Sequence, residues 1–132
     1  MKYRYQRVAI RSLQAADAAL AAGAHEKASF LSYHAFESTG SALGTHMGHD
    51  MGQGVSHPNK IRRFKHAAGQ VGITRAVAEL AVRLAPMRNK FLYPELKLNG
   101  DIVLPEAQIS AAKAAQLTAQ VKHVVNIVGG QL

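Results

Sequence analysis

The chain has 132 residues, of which 16 are lysine or arginine, 8 are aspartate or glutamate and none is cysteine. This length suits one domain with a single core, and the lack of cysteine excludes disulfides and thiolate zinc sites. No apolar run approaches the roughly 20 residues that span a membrane, and Tyr3, Arg4 and Arg7 interrupt any apolar secretory signal. We therefore expect a cytoplasmic protein with no membrane segment, and the net charge of +8 favours anionic partners such as nucleic acid or nucleotides.

Two helices are predicted in the first third of the chain. Residues 3–22 place apolar side chains at helical spacing on one face. Along another face, Arg4, Arg7 and Arg11 form a row that is typical of a solvated surface or of contacts to a phosphate backbone. Residues 24–43 predict a second helix, with a stripe of mostly small side chains that allows another helix to approach closely.

Three side chains on the second predicted helix carry groups that exchange protons or form hydrogen bonds. Glu37 follows Tyr33 by four residues and His34 by three, so these side chains can meet on one helix face. They are interpreted either as a polar patch between two helices or as groups that support a ligand beside Arg88.

A glycine-rich segment, residues 44–56, follows the second helix and predicts a long, mobile connection. His46, His49 and Asp50, with His57 just beyond, have spacings found among metal ligands. A mobile loop does not hold ligands in place, however, so the sequence predicts no metal site and no cofactor.

A short third helix, predicted from Asn59 to about Ala68, carries the densest basic patch in the chain. Ile61 and Phe64 are three residues apart and can anchor this helix to the core while the basic side chains face outward. Such a patch is typical of phosphate contacts and equally of a solvated surface helix. Its basic residues are Lys60, Arg62, Arg63 and Lys65.

The most regular helical pattern lies between residues 73 and 91. Its apolar residues alternate in steps of four and three, as on one face of a helix that packs against a core. Pro86 predicts a kink just before Arg88, and Pro94 predicts that the helix ends at Tyr93. The apolar stripe consists of Ile73, Val77, Leu80, Leu84, Met87 and Phe91.

The last third of the chain predicts a turn and one more helix. Residues 99–101 form an Asn-Gly-Asp turn, and residues 102–104 either cover an edge of the core or form a short extended pair. Pro105 and Glu106 are favourable first-turn residues for a final helix that stops at residues 129–130. The whole pattern predicts an all-α fold, an up-and-down bundle of four long helices plus one short basic helix.

The end of the fourth helix, residues 88–95, reads Arg-Asn-Lys-Phe-Leu-Tyr-Pro-Glu and resembles the motif of HEPN domains (higher eukaryote and prokaryote nucleotide-binding). Active members of that family are metal-independent ribonucleases marked by an arginine, a polar residue and, after a short spacer, a histidine. The resemblance extends loosely to residues 28–37 and 56–60. It implies that residues 1–132 form a single HEPN-like helical domain.

The resemblance implies roles for three motif residues. Arg88 would place positive charge beside a phosphate, and Asn89 would orient groups by hydrogen bonding. Tyr93 occupies the histidine position, and a phenol with a reference pKa of about 10 is a poorer general base at neutral pH. Alternatively, Arg88 has a structural role as an ion-pair partner of Glu79 or Glu95 at a dimer seam. The residues that would support the site are His34, Glu37 and His57.

Within the family, active sites form where two copies of the motif helix meet, which implies a homodimer. Val82 and Leu92 lie off the main apolar stripe and favour the same conclusion. The resemblance therefore implies an RNA- or nucleotide-binding module with weak or no ribonuclease activity. It also implies a place in a toxin–antitoxin or defence system, with a cognate nucleotidyltransferase-type antitoxin as partner.

Two alternatives of other classes remain. One is an active metal-independent endoribonuclease that uses Arg88 and Tyr93, or a recruited histidine such as His57 or His34. The other is a helical protein-interaction module whose basic helix docks an acidic partner. RNA cleavage that is lost in Arg88→Ala distinguishes the first, and capture of an acidic protein without nucleic acid distinguishes the second.

Overall fold

One long helix, α2, is the axis around which α1, α3, α5 and α6 pack in this computed structural model of residues 1–132. The all-α fold class is confirmed, and a two-stranded hairpin, β1 (Glu95–Leu96) with β2 (Ile102–Val103), is the one sheet. None of the helices is both long and apolar enough to cross a membrane. The helices are α1 (Lys2–Ala21), α2 (His25–His46), α3 (His57–Gln70), α4 (Thr74–Leu84), α5 (Arg88–Leu92) and α6 (Ala111–Gly129).

Small residues on α2 allow its neighbours to approach closely, as the sequence predicts. A Cβ atom at Gly40 would lie 2.6 Å from Cγ of Phe64 on α3, which is closer than real carbon atoms come. The Phe64 ring fills this space and lies 5.0 Å, between centroids, from the ring of Phe36 on α2. Both phenylalanines are fully buried, so the contact between α2 and α3 belongs to the core.

The prediction that a loop begins at Gly44 is wrong, because α2 continues to His46. Gly44 has no side chain, and the buried Met51 uses that space: a Cβ atom there would lie 2.6 Å from its Sδ atom. The hydroxyl of Tyr5 donates to the carbonyl oxygen of Met51 at 3.4 Å. The glycine therefore serves close packing inside a helix, and the connection to α3 is correspondingly shorter.

Helix α3 begins earlier than predicted, at His57. The Oγ atom of Ser56 accepts a hydrogen bond from the backbone amide of Asn59 at 3.3 Å, which caps the helix, and Pro58 lies in the first turn. His57 is thus a first-turn helical residue with a fixed backbone. Ile61 and Phe64 are buried, which confirms the anchoring face of this helix.

The α-helix is interrupted just before Arg88, where the sequence predicts a kink. A 3-10 turn, Ala85–Met87, separates α4 from α5, and Arg88 is the first residue of α5. Tyr93 adopts the extended conformation, with φ −128° and ψ 145°, which ends α5 as the following proline requires. The members of the apolar stripe are buried, namely Val77, Leu80, Leu84 and Phe91, or partly buried against the core, namely Ile73 and Met87.

The final helix begins later than predicted. Pro105 opens a 3-10 turn, Pro105–Ala107, and α6 starts only after Ser110. The Oγ atom of Ser110 accepts a hydrogen bond from the amide of Lys113 at 3.2 Å, so this serine, and not the proline, sets the helix start. Upstream, Glu95 pairs with Val103 in the hairpin, so the extended-pair interpretation of residues 102–104 is the observed one.

Candidate functional site

The carboxylate of Glu37 is the centre of a polar cluster between α2 and α3. The residue is buried, and three groups surround it. The hydroxyl of Tyr33 donates to its Oε2 atom at 3.0 Å, and Nδ1 of His57 lies 2.7 Å from the same oxygen. The ammonium group of Lys60 lies 3.9 Å from its Oε1 atom. These partners offset the cost of removing a carboxylate from water.

Helix spacing on both sides brings these four residues together. Tyr33 and Glu37 are one turn apart on α2, as predicted from their spacing of four. His57 and Lys60 are three residues apart on α3, on the side of that helix that also carries Phe64. Since Phe64 is pressed against the backbone of α2, this face of α3 is held against Glu37.

Arg88 lies on the other side of Tyr33. Its guanidinium carbon is 6.0 Å from the centroid of the Tyr33 ring, a cation–π distance. Its Nη1 atom donates to the side-chain oxygen of the neighbouring Asn89 at 3.2 Å. Arg88 is partly buried and Asn89 is exposed. The ring and the amide together fix the guanidinium at the surface of the cluster.

No carboxylate of the chain pairs with Arg88. Glu79 pairs instead with Arg75, one turn away on α4, at 3.2 Å. Glu95 accepts a hydrogen bond from the side chain of Gln108 at 2.9 Å. The ion pair of Arg88 with Glu79 or Glu95 is therefore not made within the chain, and the charge of Arg88 has no ionic partner there.

Burial raises the pKa of the Tyr33 hydroxyl above its ordinary value. The neighbouring Glu37 carboxylate raises this pKa further, by its charge and by accepting the hydrogen bond, while the positive charge of Arg88 acts in the opposite direction. Tyr33 therefore keeps its proton at neutral pH. It acts as a fixed donor to Glu37.

This shift predicts a loss of stability at alkaline pH. The unfolded chain releases the Tyr33 proton near pH 10.0, whereas the folded chain keeps it to higher pH. The stabilisation is therefore complete below about pH 10 and declines as the pH rises above that value. We expect the free energy of unfolding, measured in urea between pH 9 and pH 11, to fall more steeply for the wild type than for Tyr33→Phe.

Tyr93→Phe serves as the control, because Tyr93 is 60 % exposed and its phenol is not buried as that of Tyr33 is. Its stability should follow the wild type across the same pH range. If the free energy of unfolding fell equally steeply with pH in the wild type and in Tyr33→Phe, this would contradict the raised pKa of Tyr33.

Two residues that the sequence proposed for the site lie outside the cluster. Tyr93 is exposed and its hydroxyl has no hydrogen-bond partner in the chain. His34 is also exposed, and its ring stacks on Phe30 with centroids 6.5 Å apart. Of the supporting residues, the structure thus brings Glu37 and His57 together but leaves His34 apart.

The four basic residues of α3 divide into two pairs. Lys60 turns toward Glu37, and the guanidinium of Arg63 donates to the carbonyl oxygen of Asp50. Arg62 and Lys65 are exposed and have no partner in the chain. The outward-facing part of the basic patch is therefore Arg62 and Lys65.

The histidines of the connection between α2 and α3 have separate partners. Nδ1 of His46 lies 2.9 Å from the ammonium group of Lys2, and Nε2 of His49 lies 3.2 Å from the side-chain oxygen of Gln70. No group of three or more histidine, aspartate or glutamate side chains is placed to hold a metal ion.

Sequence reasoning missed the contact of Lys60 with Glu37 and the meeting of Glu37 with His57. The spacing along α3 could have indicated both contacts. His57, Lys60 and Phe64 are three and four residues apart and therefore lie on one side of the helix. A polar side chain in line with a core phenylalanine is directed toward the helix on which that phenylalanine packs.

Comparison of the chain with protein-family models, with curated proteins and with solved structures finds no match.

Proposed function

We propose that the protein is an HEPN-like module that binds RNA or a nucleotide and that Arg88 holds the phosphate. The observation that carries this proposal is a guanidinium fixed by the Tyr33 ring and by Asn89, with no carboxylate within ion-pair distance. Arginine offers several donors in a rigid fork that matches phosphate oxygens. The net charge of +8 supports an anionic ligand.

The exposed bases of α3 supply the second part of the proposal. Arg62 and Lys65 carry uncompensated positive charge on an exposed face, which favours contacts with RNA phosphates that do not depend on sequence. Arg88 holds one phosphate in a defined position, while Arg62 and Lys65 contribute to general affinity. A bound nucleotide therefore needs Arg88 alone, whereas bound RNA contacts all three basic residues.

We also propose that the protein forms a homodimer and has a cognate nucleotidyltransferase-type antitoxin as its partner, as the resemblance implies. Exposed apolar residues support self-association: Val82 is 71 % exposed on α4, and several more lie directly after the motif. A monomer mass from light scattering at micromolar concentration would contradict the dimer. The exposed apolar residues after the motif are Leu96, Leu98, Ile102 and Leu104.

Arg88→Ala is expected to weaken binding of a fluorescent single-stranded RNA about 10- to 100-fold, since one charge-assisted hydrogen bond contributes about 1.5–3 kcal/mol. Binding is measured by fluorescence anisotropy at several salt concentrations. The control is Arg75→Ala, which removes the same charge from an exposed residue paired only with Glu79, and its affinity should change less than about twofold.

The double variant Arg62→Ala/Lys65→Ala completes the experiment. It should lower the salt dependence of binding by about two phosphate contacts and weaken binding to all sequences alike. Equal losses in Arg88→Ala and Arg75→Ala would contradict a phosphate site at Arg88. Absence of binding to RNA and to nucleotides at low salt would contradict the proposed function as a whole.

A further inference from the structure

We propose that His57, oriented by Glu37, is the general base of a reaction that cleaves RNA beside the phosphate held by Arg88. This inference rests on the proposed function and gives the proton-transfer role to a residue outside the R-N-x-x-x-Y motif. Its substrate is single-stranded RNA, whose 2′-hydroxyl is the nucleophile.

The contact with Glu37 fixes which nitrogen of His57 is free. A carboxylate has no proton to give, so Nδ1 of His57 is the donor across the 2.7 Å distance to Oε2. In the neutral imidazole the lone pair then lies on Nε2, which has no hydrogen-bond partner in the chain. The side chain of His57 is 49 % exposed, so this nitrogen is accessible to a ligand.

Glu37 in turn has its own fixed partners. The hydroxyl of Tyr33, which stays protonated, donates to the same Oε2 atom at 3.0 Å, and Lys60 approaches the other oxygen. Glu37 and Lys60 are the charged groups that face the imidazole from the two helices. An imidazole that donates a hydrogen bond to a carboxylate, which in turn accepts one from a hydroxyl, has the arrangement of an acid–base catalytic site. Glu37 and Tyr33 are positioning residues in this arrangement.

Arg88 and His57 approach the same stretch of α2. Arg88 lies over the ring of Tyr33, and His57 contacts Glu37, which is four residues further along the helix, a rise of about 6 Å. Arg88 and His57 thus contact two residues of α2 that are one helical turn apart. In the proposed reaction, one phosphodiester with its 2′-hydroxyl lies between the guanidinium and the imidazole.

The step is an internal transfer at phosphorus. Nε2 of His57 takes the proton of the 2′-hydroxyl, and the 2′-oxygen forms a bond to the phosphorus. The bond from phosphorus to the 5′-oxygen breaks, and that oxygen takes a proton from water. The protonated His57 then gives its proton to the hydroxide that remains, which restores the neutral imidazole. Arg88 stabilises the negative charge that builds up on the phosphate oxygens. The products are a 2′,3′-cyclic phosphate and a 5′-hydroxyl end.

Cleavage of a mixed-sequence single-stranded RNA tests the proposal, with the DNA of the same sequence as a substrate that lacks the nucleophile. We expect the wild type to cleave the RNA to cyclic phosphate ends and to leave the DNA intact. His57→Ala should lower kcat roughly 10²–10⁴-fold while the Kd for RNA changes less than about twofold. Added imidazole should restore part of the activity of His57→Ala, which no structural role of His57 predicts.

The chain offers matched controls. His66→Ala removes an exposed histidine from the same helix as His57, and Arg75→Ala removes an exposed arginine from α4; both should cleave at the wild-type rate. Tyr93→Phe removes the hydroxyl at the motif position and tests the competing base. Glu37→Gln keeps the shape of the side chain, so it should lower kcat about tenfold or more with unchanged Kd and unchanged helicity by circular dichroism.

The outcomes separate this inference from the proposed function. Binding that depends on Arg88 without any cleavage by the wild type would overturn the role of His57 alone. The role of His57 would also be overturned if His57→Ala cleaved RNA as fast as the wild type, or if Tyr93→Phe lost activity and His57→Ala did not. Loss of all RNA binding would overturn the proposed function instead.

Discussion

Replacement of Phe64 by alanine is expected to lower the free energy of unfolding by about 3–5 kcal/mol. Phe64 is fully buried, its ring is in contact with Phe36, and it fills the space left by the absent side chain of Gly40. Truncation leaves a cavity between two helices that their remaining contacts hold apart. Urea denaturation followed by circular dichroism measures the change.

Phe30→Ala is the matched control for this loss. Phe30 also lies on a core helix, but it is only partly buried and stacks on the exposed His34. Its truncation removes less apolar area from the interior, so we expect about half the loss or less. A change in Phe64→Ala no larger than in Phe30→Ala would show that the contact between α2 and α3 is not part of the stabilising core.

Gly40→Ala is expected to destabilise the protein, although alanine is the better helix former. Alanine at an interior helical position gains about 0.5–1 kcal/mol, whereas overpacking costs typically about 1–3 kcal/mol. The new Cβ atom would lie 2.6 Å from Cγ and 2.9 Å from Cβ of Phe64, atoms near the backbone of α3 that cannot move without the helix. We therefore expect a net loss of about 1–2 kcal/mol in the same urea experiment.

Gly129→Ala provides the comparison in the same chain. Gly129 is also helical, but the nearest atom to an added Cβ is the side-chain amide of Gln6, at 3.4 Å and at the end of a flexible side chain. This variant should be as stable as the wild type or slightly more stable. In Gly40→Ala/Phe64→Ala the losses should sum to less than the two single losses, because the smaller side chain at 64 makes room for the added methyl. Additive losses would contradict the steric explanation.

The helix that ends in the motif could be predicted from the sequence almost completely. Its apolar residues repeat every three or four positions, and this periodicity reflects burial on one side. Its interruption and its end depend on Pro86 and Pro94, whose effect on the backbone is local and needs no knowledge of the rest of the fold.

The centre of the candidate site could be predicted only in part. The hydrogen bond between Tyr33 and Glu37 follows from their spacing on one helix. The contact between Glu37 and His57 joins residues 20 positions apart on different helices, and it depends on how closely α3 approaches α2. The distance between α2 and α3 is set by the packing of Phe64 against Gly40. This is a tertiary contact that a local sequence pattern does not reveal.

Two boundaries were wrong for related reasons. The sequence predicts a loop from Gly44 because glycine weakens helices locally, yet the packing of Met51 against it favours the helix. The sequence predicts Pro105 in the first turn of the last helix, but Ser110 offers a side-chain cap five residues later. In both cases a specific contact outweighed the local conformational preference of the residue.

The enclosure of α2 has a consequence for the energetics of ligand binding. Tyr33 and Glu37 are carried by a helix that other helices cover on most sides, so their backbone and rotamers are already ordered before any ligand arrives. Little conformational entropy remains to be lost on binding at this point. The proposed binding of phosphate beside these residues, at Arg88, would therefore depend mainly on desolvation and charge, because the site is already arranged when the chain folds.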